Sequence, residues 1–101
     1  AGERVRVSIG AAALRAGVLV GRADKCTDRG LKPLLTIRVS RVHAVVIEQN
    51  GKTMLYDCAS TNGTIVGGRR LRSVELGADG PIVQLAGHDG VELRWTPIRT
   101  P

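Results

Sequence analysis

Short apolar runs that alternate with polar residues occupy most of the chain. Residues 4–9, 36–39 and 91–95 place an apolar side chain at every second position, which is the pattern of a strand with one buried face. Residues 44–47 are nearly all apolar and β-branched, which indicates a strand buried on both faces or a central strand. The remaining strand-like runs lie at 18–20, 53–56, 64–66, 70–71 and 81–85. The pattern therefore predicts an all-β fold of roughly nine to eleven short strands.

Turn residues separate these runs and indicate how some of them are joined. Asn50-Gly51 stands between two strand-like runs, which is a strong hairpin signal. Gly67-Gly68 predicts a second hairpin, because both glycines accept a positive φ. Residues 11–14 form the only helix-favouring run, and it is too short to be stable alone. Short strands at close spacing with turns between them are typical of a β-sandwich or barrel.

Composition adds a charge signal to this pattern. The 101 residues include fifteen Lys or Arg and nine Asp or Glu, which gives a net charge of +6, and twelve of the basic residues are Arg. Arg suits phosphate and carboxylate, so the excess indicates an anionic partner such as nucleic acid, phosphoprotein or acidic lipid. A GC-rich genome would produce the same excess. With one Tyr, one Trp and no Phe, the chain could hardly build a stacking platform for single-stranded nucleic acid.

Several classes of protein are excluded by what the sequence lacks. No apolar run reaches the roughly 18–20 residues of a membrane span, and no secretory leader is present, which favours a cytoplasmic location. Cys26 and Cys58 do not have zinc-site spacing, so no metal and no cofactor is expected. Two thiols are the default interpretation of these cysteines, with a disulfide as the alternative. The length of 101 residues suits one domain, which we expect to span residues 1–101. Because the sequence starts without Met, we expect this domain to come from a longer protein.

Ser40, His43 and Asp57 are the residue types of a hydrolase triad, but their context argues against that function. No Gly-x-Ser-x-Gly elbow is present, and on a strand Ser40 and His43 would point to opposite faces. Asp57 is expected to make local turn hydrogen bonds instead. Phosphate-binding motifs of nucleotide enzymes are absent from the sequence as well. The sequence therefore predicts no catalytic residues.

Three short segments form a specific set when they are taken together. Gly21-Arg22 follows the run at 18–20, Ser-Arg-x-His-Ala occupies 40–44, and Asp-x-x-Ser-Thr-Asn-Gly-Thr occupies 57–64. In this order, on an all-β framework, they make the chain resemble the forkhead-associated (FHA) domain over about 17–95. The resemblance implies an antiparallel β-sandwich of about eleven strands, with loops at one end that bind phosphothreonine peptides.

The resemblance also implies roles for individual residues. The phosphothreonine-binding residues would be Arg22, Ser40, Arg41, Thr61 and Asn62. The residues that support the binding loops would be Gly21, His43, Ser60 and Gly63. The chemistry is consistent, because a phosphate dianion is matched by Arg side chains, a Ser hydroxyl and backbone N–H groups. An Asn amide can both donate to and accept from a peptide backbone.

The sequence thus predicts a non-catalytic module that recognises a threonine-phosphorylated protein or peptide, without nucleic-acid or membrane contact. Two alternatives stay open: a phospho-independent protein-interaction domain of the same fold, and a basic nucleic-acid-binding β-domain. Residues 23–35 form a longer loop than the resemblance leads us to expect, so selectivity beyond the phosphothreonine is predicted to be unusual. Cys58 is interpreted as a small core residue.

Arg69, Arg70 and Arg72 form a basic cluster on the second predicted hairpin. We interpret the cluster as a solvated edge, which is the common role of charged residues on short edge strands. The alternative is a positive rim that extends the binding site toward an acidic or multiply phosphorylated target.

Overall fold

The computed structural model describes residues 8–21, 40, 42–77, 81–86 and 91–96, and these contain one short helix and eight strands. The elements are α1 (Ala11–Ala16), β1 (Val18–Val20), β2 (Ala44–Gln49), β3 (Lys52–Asp57), β4 (Thr64–Val66), β5 (Arg69–Arg70), β6 (Ser73–Glu75), β7 (Val83–Leu85) and β8 (Val91–Leu93). The strand predicted at 36–39, and residues 4–7 of the one predicted at 4–9, lie outside the described residues. None of the described helical segments is long and apolar enough to cross a membrane.

The strands form two four-stranded sheets in which each neighbouring pair is antiparallel. The first sheet has the order β1-β2-β3-β6 and the second has the order β5-β4-β7-β8. Alternate residues of each sheet turn inward, as the pleat requires, and their side chains meet in one core. Leu55 of the first sheet and Val83 and Leu85 of the second are almost fully buried in it. The predicted antiparallel β-sandwich is therefore confirmed.

The two predicted hairpins are present. Asn50 and Gly51 have φ values of 52° and 76° and join β2 to β3. Gly67 and Gly68 have φ values of 57° and 79° and join β4 to β5. Two consecutive residues with positive φ match the right-handed twist of the paired strands, which explains why these dipeptides allow such tight connections.

Two further expectations concern β2 and the helical run. β2 lies between β1 and β3, so it is central, with Ala44 and Val46 buried and the alternate residues only half-buried. The helical run at 11–14 becomes the six-residue α1, which contacts β2. Leu14 supplies the buried side chain of this helix and belongs to the core. Tertiary packing therefore stabilises a helix that its length alone would not.

Candidate functional site

The strand register brings the three sequence motifs to one edge of the first sheet. Ala44 at the start of β2 pairs with Val20 at the end of β1 and with Asp57 at the end of β3. Because β2 runs antiparallel to both neighbours, the chain leaves β1, enters β2 and leaves β3 at the same edge. Gly21, Ser40 and the loop that follows Asp57 therefore lie close together. Arg22 and Arg41 fall outside the described residues, so their predicted contacts stay predictions.

His43 connects all three segments from a fully buried position. Its backbone N–H donates to the Val20 carbonyl at 2.8 Å, and its carbonyl accepts from Cys58 N–H at 2.8 Å. In the ring, Nδ1 accepts from the Ser40 N–H at 3.1 Å, which leaves the proton on Nε2. Nε2–H then donates to the Gly63 carbonyl at 2.8 Å. The neutral ring thus holds the Ser40 segment and Gly63 in a fixed relative position.

Burial keeps the His43 ring in this neutral form. Desolvation lowers the pKa of His43 and outweighs the opposite effects of the Gly63 carbonyl and the Asp57 carboxylate. The positive charge of Arg70 lowers the pKa further. His43 Nε2 and Asp57 Oδ1 are 3.7 Å apart, too far for a hydrogen bond. The support that His43 gives to the loops is therefore that of a neutral hydrogen-bonding group.

Asp57 organises the loop that carries the third motif. Its Oδ2 accepts from the Ser60 N–H at 2.9 Å, and its Oδ1 accepts from the Ser60 hydroxyl and from the Thr64 hydroxyl at 2.7 Å. Burial alone would raise the pKa of Asp57, but these hydrogen bonds together outweigh it and leave the pKa below its ordinary value. Asp57 therefore makes the local turn hydrogen bonds expected from the sequence, and it makes them as a carboxylate.

Thr61 and Asn62 form the exposed end of this loop, which we call the tip. Ser60 precedes the tip, and its hydroxyl accepts from the Gly63 N–H at 3.0 Å on the other side. Gly63 has a φ of 87°, and its carbonyl also accepts from the Ala86 N–H at 2.8 Å. Both ends of the tip are thus held by hydrogen bonds from buried residues. Gly63 is favoured here because other residues rarely adopt this φ.

The tip is also connected to the second motif. The Thr61 N–H donates to the Ser40 hydroxyl at 2.9 Å. Thr61 is exposed, and Ser40 and Asn62 are half-buried, so a ligand can approach all three. The structure thus brings Ser40 into contact with Thr61, next to Asn62, and hydrogen bonds of His43, Ser60 and Gly63 hold these segments in place. Gly21 is buried after the end of β1, and its role as a loop support stays a prediction.

Arg70 is a contact of this loop that sequence reasoning missed. Its Nη2 donates to the Ser60 carbonyl at 2.9 Å, although the side chain is exposed. Arg70 is exposed on the edge strand β5, as the sequence interpretation has it, and it makes this loop contact in addition. The contact joins β5 to a loop that precedes β4, and no local pattern in the sequence indicates it.

Ser40, His43 and Asp57, the residue types of a hydrolase triad, make hydrogen bonds that hold the loops of the site. Ser40 and His43 lie in the segment before β2, so the argument from the opposite faces of a strand does not apply to them. The Ser40 hydroxyl accepts from the Thr61 N–H, and the His43 ring accepts from the backbone N–H of Ser40. Among the described residues, no group of His, Cys, Asp and Glu could hold a metal ion. Cys58 is half-buried, and its predicted relation to Cys26 lies outside these residues.

Comparison with known proteins agrees with the motifs. The FHA domain model matches residues 18–85, so the chain belongs to the FHA domain family. No curated protein matched the chain.

Solved structures of the same family are similar in fold. The FHA-1 domain of Mycobacterium tuberculosis Rv1747 has a TM-score of 0.62 and 27% identity, over 73% of this chain and 70% of that one. The FhaA FHA domain, solved in complex with the intracellular domain of Rv3910, has a TM-score of 0.58 and 28% identity, over 69% and 71%. A structure from work on phosphothreonine-dependent FHA domain interactions has a TM-score of 0.58 and 28% identity, over 81% and 79%.

Proposed function

We propose that this domain recognises threonine-phosphorylated protein segments and that it has no catalytic activity of its own. The observation that carries the proposal is the convergence of the three motifs at one edge of the first sheet, through the pairing of Ala44 with Val20 and Asp57. Membership of the FHA family supports it, as do the phosphothreonine-dependent interactions described for a structural relative. A threonine-phosphorylated protein of the cytoplasm is the partner that we propose.

In this proposal the phosphate is bound by groups from all three motifs. Arg22 follows Gly21 directly in sequence and supplies a charge-assisted contact, with Arg41 as a second cation beside Ser40. The Ser40 hydroxyl already accepts from Thr61 N–H, so its own proton is available to donate to a phosphate oxygen. Asn62 binds the peptide backbone next to the phosphothreonine, and Thr61 lines the same surface.

The solution behaviour follows from this chemistry. A phosphate monoester loses its second negative charge as the pH falls through about 6, so binding should weaken over that range. Binding should also weaken with salt, because most of the contacts are between charged groups. The net charge of +6 favours encounter with an anionic peptide but provides no selectivity for phosphothreonine.

Substitution of Arg22 tests the proposal against a general charge effect. Arg22→Ala should weaken binding of a degenerate phosphothreonine peptide library roughly thirtyfold or more, since a charged hydrogen bond is lost and the phosphate is left unpaired. Arg15→Ala is the matched control, because Arg15 is an exposed arginine in the last turn of α1, before the start of β1, whereas Gly21-Arg22 follows the other end of that strand. The control should bind within about twofold of the unsubstituted domain. Equal binding by Arg22→Ala and the unsubstituted domain would contradict the assignment.

A further inference from the structure

Arg70 contacts both ends of the tip. One contact is the hydrogen bond from Nη2 to the carbonyl of Ser60, which precedes Thr61. The other is with Gly63, which follows Asn62. A Cβ atom on Gly63 would lie 2.7 Å from Nε, 2.9 Å from Cδ and 3.1 Å from Cζ of Arg70. The inner part of the guanidinium therefore lies across the open face of Gly63, while its outer nitrogen holds Ser60.

We propose that Arg70 is a positioning residue for phosphopeptide binding, because it fixes the distance and orientation between the two ends of the tip. The part of the inference that concerns affinity rests on the proposed function. Thr61 and Asn62 would contact the peptide, and Arg70 would act on the ligand only through them. This role is distinct from that of a positive rim, in which the arginine would attract an acidic target directly.

The hydrogen bonds of Ser60 explain why a contact from β5 is needed. The Ser60 N–H donates to Asp57 Oδ2, and the hydroxyl donates to Asp57 Oδ1 while it accepts from Gly63 N–H. These bonds fix the side chain and the amide that precede the tip. The Ser60 carbonyl belongs to the peptide unit that leads into Thr61, and among the described residues Arg70 is its hydrogen-bond donor. Without Arg70, this peptide unit could rotate and turn the Thr61 N–H away from the Ser40 hydroxyl.

An arginine suits this position better than a lysine does. The planar guanidinium presents donors in a rigid fork, so it can lie flat over Gly63 and still direct one N–H at Ser60. A lysine ammonium could reach the carbonyl but has no planar group to cover the glycine. The same position brings positive charge near His43, which helps to keep that ring neutral and its bond to Gly63 intact.

Arg69 is the natural control for Arg70. It lies next to Arg70 on β5, is also exposed, and has no side-chain hydrogen bond or ion pair with any described residue. Replacement of either arginine by Ala removes the same charge and leaves the backbone pairs Ile65–Arg70 and Val66–Arg69 in place. A difference between the two variants therefore reports the contacts of Arg70 and not its charge.

The experiment measures binding of a degenerate phosphothreonine peptide library at about 50 mM and about 500 mM salt, where screening differs strongly. Arg70→Ala should bind roughly tenfold more weakly at both salt concentrations, since a hydrogen bond to an uncharged carbonyl is little screened. Arg70→Lys should recover part of this loss. Arg69→Ala should bind slightly more weakly at low salt and as well as the unsubstituted domain at high salt. Equal losses for Arg69→Ala and Arg70→Ala would overturn the proposal in favour of a rim.

Hydrogen exchange of the ligand-free domain separates this inference from the proposed function. In Arg70→Ala, the amide of Gly63 should exchange roughly tenfold faster, while core amides of β2 and β3 keep their rates, since only the loop opens more often. Unchanged exchange at Gly63 would overturn the positioning role. If the unsubstituted domain binds no phosphothreonine peptide, the proposed function fails and the exchange result alone decides whether Arg70 positions the tip.

Discussion

The two connections that flank β4 both turn the chain through glycine, but different interactions stabilise them. Both contain glycine with positive φ, Gly63 before the strand and Gly67-Gly68 after it. Gly63 is buried, and a Cβ there would collide with Arg70, whereas a Cβ on Gly67 or Gly68 would meet nothing within 4 Å. Side-chain hydrogen bonds hold the loop before β4, whereas the backbone pairs Ile65–Arg70 and Val66–Arg69 close the hairpin after it.

The difference indicates what a binding loop requires that an ordinary turn does not. A two-residue hairpin needs only a backbone conformation that matches the twist of its two strands, so its residues can stay exposed and make no side-chain contacts. In the proposed function the loop before β4 presents Thr61 and Asn62 to a ligand, so it has to hold them without a strand partner. In this domain Asp57, Ser60, His43 and Arg70 supply the necessary hydrogen bonds.

Removal of the Asp57 carboxylate should produce the largest effect. Asp57→Ala leaves the Ser60 N–H, the Ser60 hydroxyl and the Thr64 hydroxyl without their acceptor, so we expect a loss of about 3 kcal/mol in the free energy of unfolding. Urea denaturation measures this loss. Glu75→Ala is the control, because the exposed Lys52–Glu75 pair, at 3.9 Å, should contribute under about 1 kcal/mol. Equal losses of unfolding free energy in Asp57→Ala and Glu75→Ala would mean that Asp57 does not hold the loop.

Substitution of Gly63 and of Gly68 tests the comparison between the two connections of β4 directly. Gly63→Ala should lower the free energy of unfolding by about 2 kcal/mol or more, because strain at positive φ adds to displacement of the Arg70 side chain. Gly68→Ala should lower it by only about 1 kcal/mol, since its φ of 79° is strained but the space around it is open. The difference should shrink in an Arg70→Ala background, where the collision is absent. A larger loss at Gly68 than at Gly63 would contradict the comparison.

Acid should weaken the loop through His43. The unfolded ring takes up a proton below its ordinary pKa of 6.5, whereas burial lowers the pKa of the folded ring and keeps it neutral. The unfolded state then binds more protons, so the free energy of unfolding falls from about pH 6.5 downward, by at most about 1.4 kcal/mol per pH unit. The lowered pKa of Asp57 adds a further loss only below about its ordinary value of 3.8.

Urea denaturation between pH 7.5 and 5.5 measures the contribution of His43. A His88→Gln background leaves His43 as the only histidine, so any slope near pH 6 can be assigned to it. His43→Gln in the same background should remove the slope, because its amide does not titrate. A slope that persists in that variant would show that another group is responsible.

The smallest effect on stability is expected at the contact between the tip and the second motif. Ser40→Ala removes the acceptor of the exposed Thr61 N–H, which water can replace, so the loss should be about 0.5 kcal/mol. Phosphopeptide affinity should fall much more, roughly tenfold, because the phosphate loses a donor as well. Thermal denaturation and peptide titration of the same variant separate the two effects. A large fall in stability would place Ser40 among the supporting residues.

The hairpins and, through the family motifs, the β-sandwich could be predicted from the sequence, whereas individual side-chain contacts between distant segments could not. Asn50-Gly51 and Gly67-Gly68 specify their hairpins within two residues, so the sequence sufficed. The position of Ser40 and His43 between two strand-like runs was also evident from the sequence, whereas the bond from the Ser40 N–H to the His43 ring was not. The Arg70–Ser60 bond depends on how the β4–β5 pair sits beside the loop, which no nearby residue indicates.

The most direct test of the account is a calorimetric titration with three matched degenerate peptide libraries, carrying phosphothreonine, phosphoserine or unmodified threonine at the central position. The account predicts saturable binding of the phosphothreonine library alone, weakened by Arg22→Ala and retained by Arg15→Ala. Equal binding of all three libraries, or binding of none, would contradict it.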